Sequence, residues 1–344
     1  MYGEEYMQAT CENRPASLTS NTVYCKGVTV VFALLCVLPI ATKAQTGDTA
    51  QNPPAPLGKL VDVGGYRVHL YCTGAGSPTV VIVGAGFSFN WGLVQPEVAK
   101  ITQVCTYDHS GIGWSDDGPK DSCALRVSEV HTALKNAGIK GPYVVVGHSL
   151  GALVARLYAG RYPDEVVGMV FVDHAMTLQK NMLMLPGVTL LPPRPNDATV
   201  PPPTAPPRPS TPSGGGPVAM AIESDSNFSK LSARDRELHL WAMAQARNQM
   251  ALQSNHEMMP ECVREADAIT IGRSHPLGDK PLVDVTTEDS ARATELQTKL
   301  LSLSGNSTQI IAERSGHFII IDRPDVVIDA ISQAVQSVRN NSKL

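Results

Sequence analysis

The chain has 344 residues, 43% of them hydrophobic and 17% charged, an ordinary globular composition that excludes a disordered or fibrous protein. A formal net charge of −4 at pH 7 supplies no basic field to gather phosphates, and Lys and Arg form no stripe, so nucleic acid is not an expected partner. The length accommodates one large α/β domain or two small ones.

Lys26 precedes the uncharged run "GVTVVFALLCVLPIAT", residues 27–42. Its 16 residues fall short of the roughly 20 needed to span a bilayer. Thr42-Lys43-Ala44 places small residues where a signal peptidase reads. Residues 1–44 are therefore expected to be an export signal cleaved near Ala44, which makes the protein periplasmic or secreted. The segment before Lys26 is long for a signal and carries Glu4, Glu5 and Glu12, so the alternative is an uncleaved anchor that attaches the protein to a membrane through residues 27–42. Cysteine usage agrees with export. Cys11, Cys25 and Cys36 lie in the leader, and Cys72, Cys105, Cys123 and Cys262 remain. Four cysteines allow three pairings, among which spacing does not choose, and four buried thiols are the alternative.

Residues 45–57 are polar and proline-containing and read as a tether. Two short alternating runs follow, Lys59 to Val63 and Tyr66 to Cys72, joined by Gly64-Gly65 as a hairpin. "TVVIV" (79–83), "QVCTYD" (103–108), "YVVVG" (143–147) and "VVGMVFVD" (166–173) are continuous apolar strands, each followed by a helix-length segment except where a long insertion intervenes after Asp173. "PLVDVTT" (281–287) and "TQIIAE" (308–313) complete the set. Strands that are apolar on both faces and alternate with helices predict a mostly parallel sheet covered on both sides. Helices are expected from Asp121 to Ala137, after Ser149, and from Pro324 to Val338 with proline at the start. The insertion, residues 174–278, has a Pro-rich part, 186–217, and a helix-like part, 218–268. The first reads as extended spacer, with an SH3-type ligand as the alternative. Residues 58–338 thus form one domain, with 339–344 as a tail.

Gly147-His148-Ser149-Leu150-Gly151 fits G-x-S-x-G with a strand before it and a helix after it. A strand that turns this sharply into a helix strains its central residue and lifts the serine hydroxyl above the sheet, beside the positive end of a helix. Serine needs a base within roughly 2.6–3.2 Å to act as a nucleophile. Of the nine histidines, His317 lies after the last strand, on a loop that can reach the turn. His148 is expected to point away and His69 to lie on a strand surface. His131, His239 and His256 are expected to be solvated or satisfied on helices.

From Lys59 to Val338 the chain resembles the α/β-hydrolase fold family, serine type. The motifs carrying the resemblance are "VIVGAGFSFNW" (81–91), "YDHSGIGWSD" (107–116), "GPYVVVGHSLGALVARLYAGRYPDEVVGMVFVD" (141–173) and "SGHFIIIDRPDVVIDAI" (315–331). The resemblance implies an eight-stranded, mostly parallel sheet flanked by helices, with the insertion as a lid. It further implies a triad with Ser149 as nucleophile and His317 as base. The acid is Asp173, at the end of its strand, with Asp289 (or its neighbour Glu288) after "PLVDVTT" as the alternative. The oxyanion donors are the N–H of Leu150 and that of Phe87 or, in the alternative alignment, Gly86. His109 stands where the family commonly has arginine. The family's strand order implies a Cys72–Cys105 disulfide. The expected activity is cleavage of a small-molecule ester or related acyl substrate through an acyl-enzyme, with no metal or cofactor implied. Trp241 and Met243 of the lid are candidate substrate contacts. Amidase, peptidase, lactonase and carbon–carbon bond hydrolysis use the same triad and stay open. Epoxide hydrolases and haloalkane dehalogenases carry aspartate at the turn, so Ser149 argues against both. A non-catalytic binding module has no need of Ser149 or His317.

Overall fold

Eight strands assemble in the order β1-β2-β4-β3-β5-β6-β7-β8 in the computed structural model, which describes residues 53–174, 222, 225–269, 273–292 and 294–344. The leader 1–44 with its 27–42 run, and the Pro-rich tract 186–217, lie outside the described residues. Among the described residues no helix is long and apolar enough to cross a membrane. The strands are β1 (Lys59–Asp62), β2 (Arg67–Thr73), β3 (Thr79–Val83), β4 (Val104–Asp108), β5 (Tyr143–His148), β6 (Val166–Val172), β7 (Leu282–Thr287) and β8 (Ser307–Ala312). β1 and β2 form the antiparallel hairpin, β2 meets β4 antiparallel, and every other neighbouring pair is parallel.

The uninterrupted apolar character of β3 to β6 follows from burial on two sides. Val81, Val83, Val145 and Phe171 face one cluster, whereas Val80, Ile82, Val144, Val146 and Val172 face another. Full burial of each such side chain stabilises by about 1.5–3 kcal/mol before entropy is subtracted. The first cluster is roofed by α2 (Cys123–Asn136), α3 (Leu150–Arg161) and the far end of α5 (Ala246–Ala268), through Met258, Met259, Val263 and Ala266. The second is roofed by the short α1 (Gln95–Val98) and by α9 (Pro324–Asn340), whose Val327, Ala330, Ile331, Ala334 and Val335 form one apolar stripe. Ser122 caps α2 by accepting from Leu125 N–H at 3.1 Å, so the helix starts two residues after the expected Asp121. α9 begins at Pro324 and runs two residues past the expected Val338.

Among the described residues of the helix-like part, a 3-10 turn at Phe228–Lys230 precedes two helices, α4 (Ala233–Met243) and α5, broken at Ala244–Gln245. A smaller cluster sits beneath them, built from Phe87, Phe89, Ile112, Leu238, Ala242 and Ala251, with Trp114, Trp241 and Met243 packed on it. Among the described residues two disulfides join distant segments. Cys72 is bonded to Cys105, directly opposite it in the β2–β4 register. Cys123 is bonded to Cys262, which joins α2 to the insertion helix α5 across 139 residues of chain; nothing in the spacing pointed to that pair.

Candidate active site

Parallel strands end on the same edge, and three of them deliver the residues of interest. β5 ends at His148, and Ser149 follows with φ 55° and ψ −125°, a positive-φ backbone that only a strongly held turn sustains in a residue other than glycine. Its N–H donates to Val172 O at 3.1 Å, which ties the turn to the end of β6. The flanking glycines are steric necessities. A Cβ on Gly151 would sit inside the van der Waals shell of the Val83 carbonyl oxygen, and one on Gly147 would come 2.5 Å from Ala152 Cα. Ser149 is buried, and α3 begins at the next residue, Leu150.

Asp173 follows β6, also at positive φ (37°), and its own N–H donates to Val285 O at 2.8 Å. His317 arrives from the loop between β8 and the helical turn α8 (Ile319–Asp322). Its Nδ1–H donates to Asp173 Oδ2 at 2.6 Å, leaving Nε2 as the proton acceptor of the ring. Burial pushes the Asp173 carboxyl up, but the hydrogen bond and charge of His317 and the hydroxyl of Ser290 outweigh it and hold it below the ordinary carboxylate range. Ser290 Oγ donates to Asp173 Oδ1 at 2.7 Å, so both carboxylate oxygens are occupied.

Asp289 lies elsewhere. It sits on the short helix α6 (Glu288–Ala291), which precedes α7 (Thr294–Leu301), its side chain 90% exposed and 3.4 Å from Arg292. Glu288 accepts from Arg314 N–H at 3.4 Å. The turn of α6 points these two outward and the next residue, Ser290, inward. Ser290 is thus the member of that stretch that reaches Asp173, and sequence carried no signal for it beyond adjacency.

His148 does not point idly away. Its Nε2–H donates to the backbone carbonyl of His317 at 3.0 Å, and the two rings lie 4.9 Å apart. Burial, then the neighbouring His317, lowers the His148 pKa to about 4, so near neutral pH it is an uncharged prop under the His317 loop. Asp322 holds the same loop by accepting from Gly316 N–H at 2.7 Å and Asn227 Nδ2–H at 2.7 Å.

The loop after β3 presents both candidate oxyanion residues. Phe87 precedes a single 3-10 turn, Ser88–Trp91, with its ring stacked on Phe89 at 4.9 Å and met edge-on by His239 of α4 at 5.7 Å. Ser88 N–H donates to Asp108 Oδ1 at 2.6 Å. His69, expected on a strand surface, is fully buried instead. Its Nδ1–H donates to Asp108 Oδ2 at 2.9 Å, and its Nε2 accepts from Gly58 N–H at 2.9 Å. The alternation that placed it outside missed that residues following the tether cover that face of β2. His109 is buried too, and burial, then the nearby Arg126, lowers its pKa to about 4. Its Nδ1 meets the Ser110 carbonyl at 2.9 Å. Trp241 stacks on Trp114 at 5.6 Å, and Met243 joins the same cluster as Phe87.

Comparison with known proteins agrees with this architecture. Residues 74–330 match the model of the Alpha/beta hydrolase family. The putative carbamate hydrolase RutD of Escherichia coli O17:K52:H18 is 42% identical over 103 residues, covering 29% of this chain and 37% of that protein. The 2-hydroxymuconate semialdehyde hydrolase of Pseudomonas sp. (strain CF600) is 33% identical over 137 residues, covering 37% and 47%. YqjL of Bacillus subtilis (strain 168), uncharacterized, is 30% identical over 122 residues, covering 34% and 48%. The matched stretches span less than half the length of each of these relatives. Among solved structures, the haloalkane dehalogenase DbeA from Bradyrhizobium elkani USDA94 superposes with a TM-score of 0.57 at 16% identity, covering 83% of this chain and 99% of that one. A serine hydrolase involved in carbazole degradation (CarC) gives 0.55 at 16%, covering 82% and 99%. At such identities the structural likeness concerns the fold alone.

Proposed function

The chain belongs to the alpha/beta hydrolase family, and from that premise we propose that it is a serine hydrolase that cleaves an ester or related small acyl substrate through an acyl-enzyme. The observation that carries the reading is the strained turn at Ser149, whose preceding residue His148 bonds the His317 carbonyl at 3.0 Å, together with a His317 Nδ1–H held by Asp173 at 2.6 Å. In this reading Ser149 Oγ attacks the acyl carbon while His317 Nε2 takes its proton, and the resulting imidazolium is stabilised by Asp173. The tetrahedral oxyanion is received by the N–H of Leu150, at the start of α3, and by that of Phe87 or Gly86. His317 then returns the proton to the leaving group, and water, activated by the same ring, releases the acid and restores Ser149. Trp241 and Met243, packed near Phe87, are the proposed apolar wall for the acyl chain.

Export belongs to the same proposal. Two disulfides, Cys72–Cys105 and Cys123–Cys262, support a life in an oxidising compartment, consistent with a signal cleaved near Ala44 or an anchor in residues 27–42.

The test is covalent labelling of purified protein with a fluorophosphonate probe, followed by turnover of p-nitrophenyl esters of rising chain length. Labelling is expected in the parent and absent in Ser149→Ala, with turnover falling by on the order of a millionfold. A parent protein that takes no label at Ser149 would overturn the reading.

A further inference from the structure

The segment Ala85-Gly86-Phe87-Ser88 holds both candidate loop donors for the oxyanion, and it is pinned at its two ends by different parts of the molecule. At its far end Ser88 N–H donates to Asp108 Oδ1 at 2.6 Å, and Ser88 Oγ lies 3.2 Å from Asp108 Oδ2. Asp108 closes β4, so this anchor belongs to the central sheet. At the near end the Ala85 carbonyl accepts from Asn255 Nδ2–H at 2.8 Å. Asn255 lies on α5, which belongs to the insertion and is separated from Ala85 by 170 residues.

The orientation of the Asn255 amide is itself determined. Its Oδ1 accepts from Arg126 Nη2 at 2.7 Å, and a guanidinium can only donate, so the NH₂ end must face Ala85. Arg126 is 1% exposed and is held by Asp121, with Nε to Oδ1 at 3.0 Å and Nη2 to Oδ2 at 2.6 Å. Ser254, beside Asn255, donates to the same Asp121 Oδ2 at 2.7 Å. Two turns along α5, the Cys262–Cys123 disulfide bonds the helix to α2, which also carries Arg126. The chain Asp121–Arg126–Asn255–Ala85 is thus a run of directed contacts, the first two charge-assisted, that starts just before α2, crosses the insertion helix and ends on a peptide carbonyl of the oxyanion loop.

A peptide unit is planar and trans, so its C=O and N–H point in opposite directions. Holding the Ala85 carbonyl sets the direction of the Gly86 N–H in the same plane. With the Phe87–Ser88 plane set by Asp108, the one intervening peptide, which carries the Phe87 N–H, has both neighbours fixed. We infer that Asn255 is a positioning residue by which the insertion aligns the oxyanion donors of the Ala85–Phe87 loop. The inference rests on the serine hydrolase reading and holds whichever of Gly86 and Phe87 is the donor. The insertion is then more than a cover over the substrate, since one of its helices supplies a support of the catalytic loop.

Asn255→Asp tests this with little change of volume. It keeps an acceptor for Arg126 and removes the donor for Ala85, placing an oxygen against the carbonyl. Asn255→Leu, which lacks both functions, is the second variant should the aspartate fail to fold. Loss of a whole oxyanion donor costs roughly 10²–10³ in kcat, so a misaligned one is expected to cost about tenfold to a hundredfold in kcat in either variant, with KM within about twofold. Affinity for an alkyl boronic acid, which forms a tetrahedral adduct on serine, is expected to weaken by the same factor. The inference is overturned if both variants keep the parent's kcat, or if their losses appear in KM or simply track a fall in thermal stability while boronate affinity is unchanged. It falls together with the hydrolase reading if the parent takes no fluorophosphonate label at Ser149. A labelled, active parent with unaffected variants sinks the positioning role alone.

Discussion

At the level of single residues, the two carboxylates that sequence left open differ in everything that matters to an imidazole. Asp173 is buried, bonded to His317 at 2.6 Å and to Ser290 at 2.7 Å, whereas Asp289 is exposed beside Arg292. Asp173→Asn is expected to lower kcat by roughly 10⁴, because the amide no longer enforces the Nδ1–H tautomer. Asp289→Asn is expected to stay within about twofold, and steady-state kinetics of both variants on one ester checks the assignment. The placement of Ser149 and His317 was legible because each lies in a local pattern: a serine flanked by small residues between strand and helix, and a histidine just after a strand. His148, Ser290 and Asn255 were not legible. Each reaches the site by a hydrogen bond to a residue 169, 117 or 170 positions away, and no local pattern records such a partner.

Elements show a similar division. β3, β5 and β6 were readable as buried strands because both faces are apolar, a signal that survives without knowledge of neighbours. The insertion helices were visible as helix-like sequence, but their docking was not, since besides the apolar stripe Met258, Met259, Val263 and Ala266 α5 is fixed to α2 by a disulfide and by Arg126, contacts between distant segments. The Cys123–Cys262 bond closes a loop of 139 residues, and removing such a constraint typically costs about 2–5 kcal/mol. The double variant Cys123→Ser/Cys262→Ser is therefore expected to melt several degrees lower than the parent in a calorimetric scan. Limited proteolysis should then cut α5 earlier than any strand; an unchanged melting temperature would show that packing alone holds the helix.

Across the whole molecule, stability should depend on pH through a buried group outside the proposed chemistry. Asp284 lies within β7, 1% exposed, and neither carboxylate oxygen has a hydrogen-bond partner among the described residues. Burial, and then the negative charge of Asp173, raises its pKa to about 8. Unfolding returns it to an ordinary value of about 3.9. Between about pH 4 and pH 8 the native state therefore holds a proton that the unfolded state has released, and stability falls as the pH rises through that window. Asp284→Asn, neutral at every pH, is expected to flatten this decline. Its melting temperature should exceed the parent's at pH 8, with the gain shrinking toward pH 4; a constant offset across the window would point to packing instead of charge.

Sequence by itself determined the class of sheet, the order of its strands along the chain and the location of the strained serine, because each is written in local hydrophobic pattern and turn chemistry. The family resemblance carried the strand neighbours, and with them the Cys72–Cys105 pair. Only the tertiary structure decided which acid faces His317, how His69 and Asp108 come to share a buried bond, and that Cys123 reaches Cys262. Those outcomes depend on which side of a short helix or strand faces inward and on contacts between distant segments. A shift of one residue reverses the first, and chain-local pattern does not encode the second.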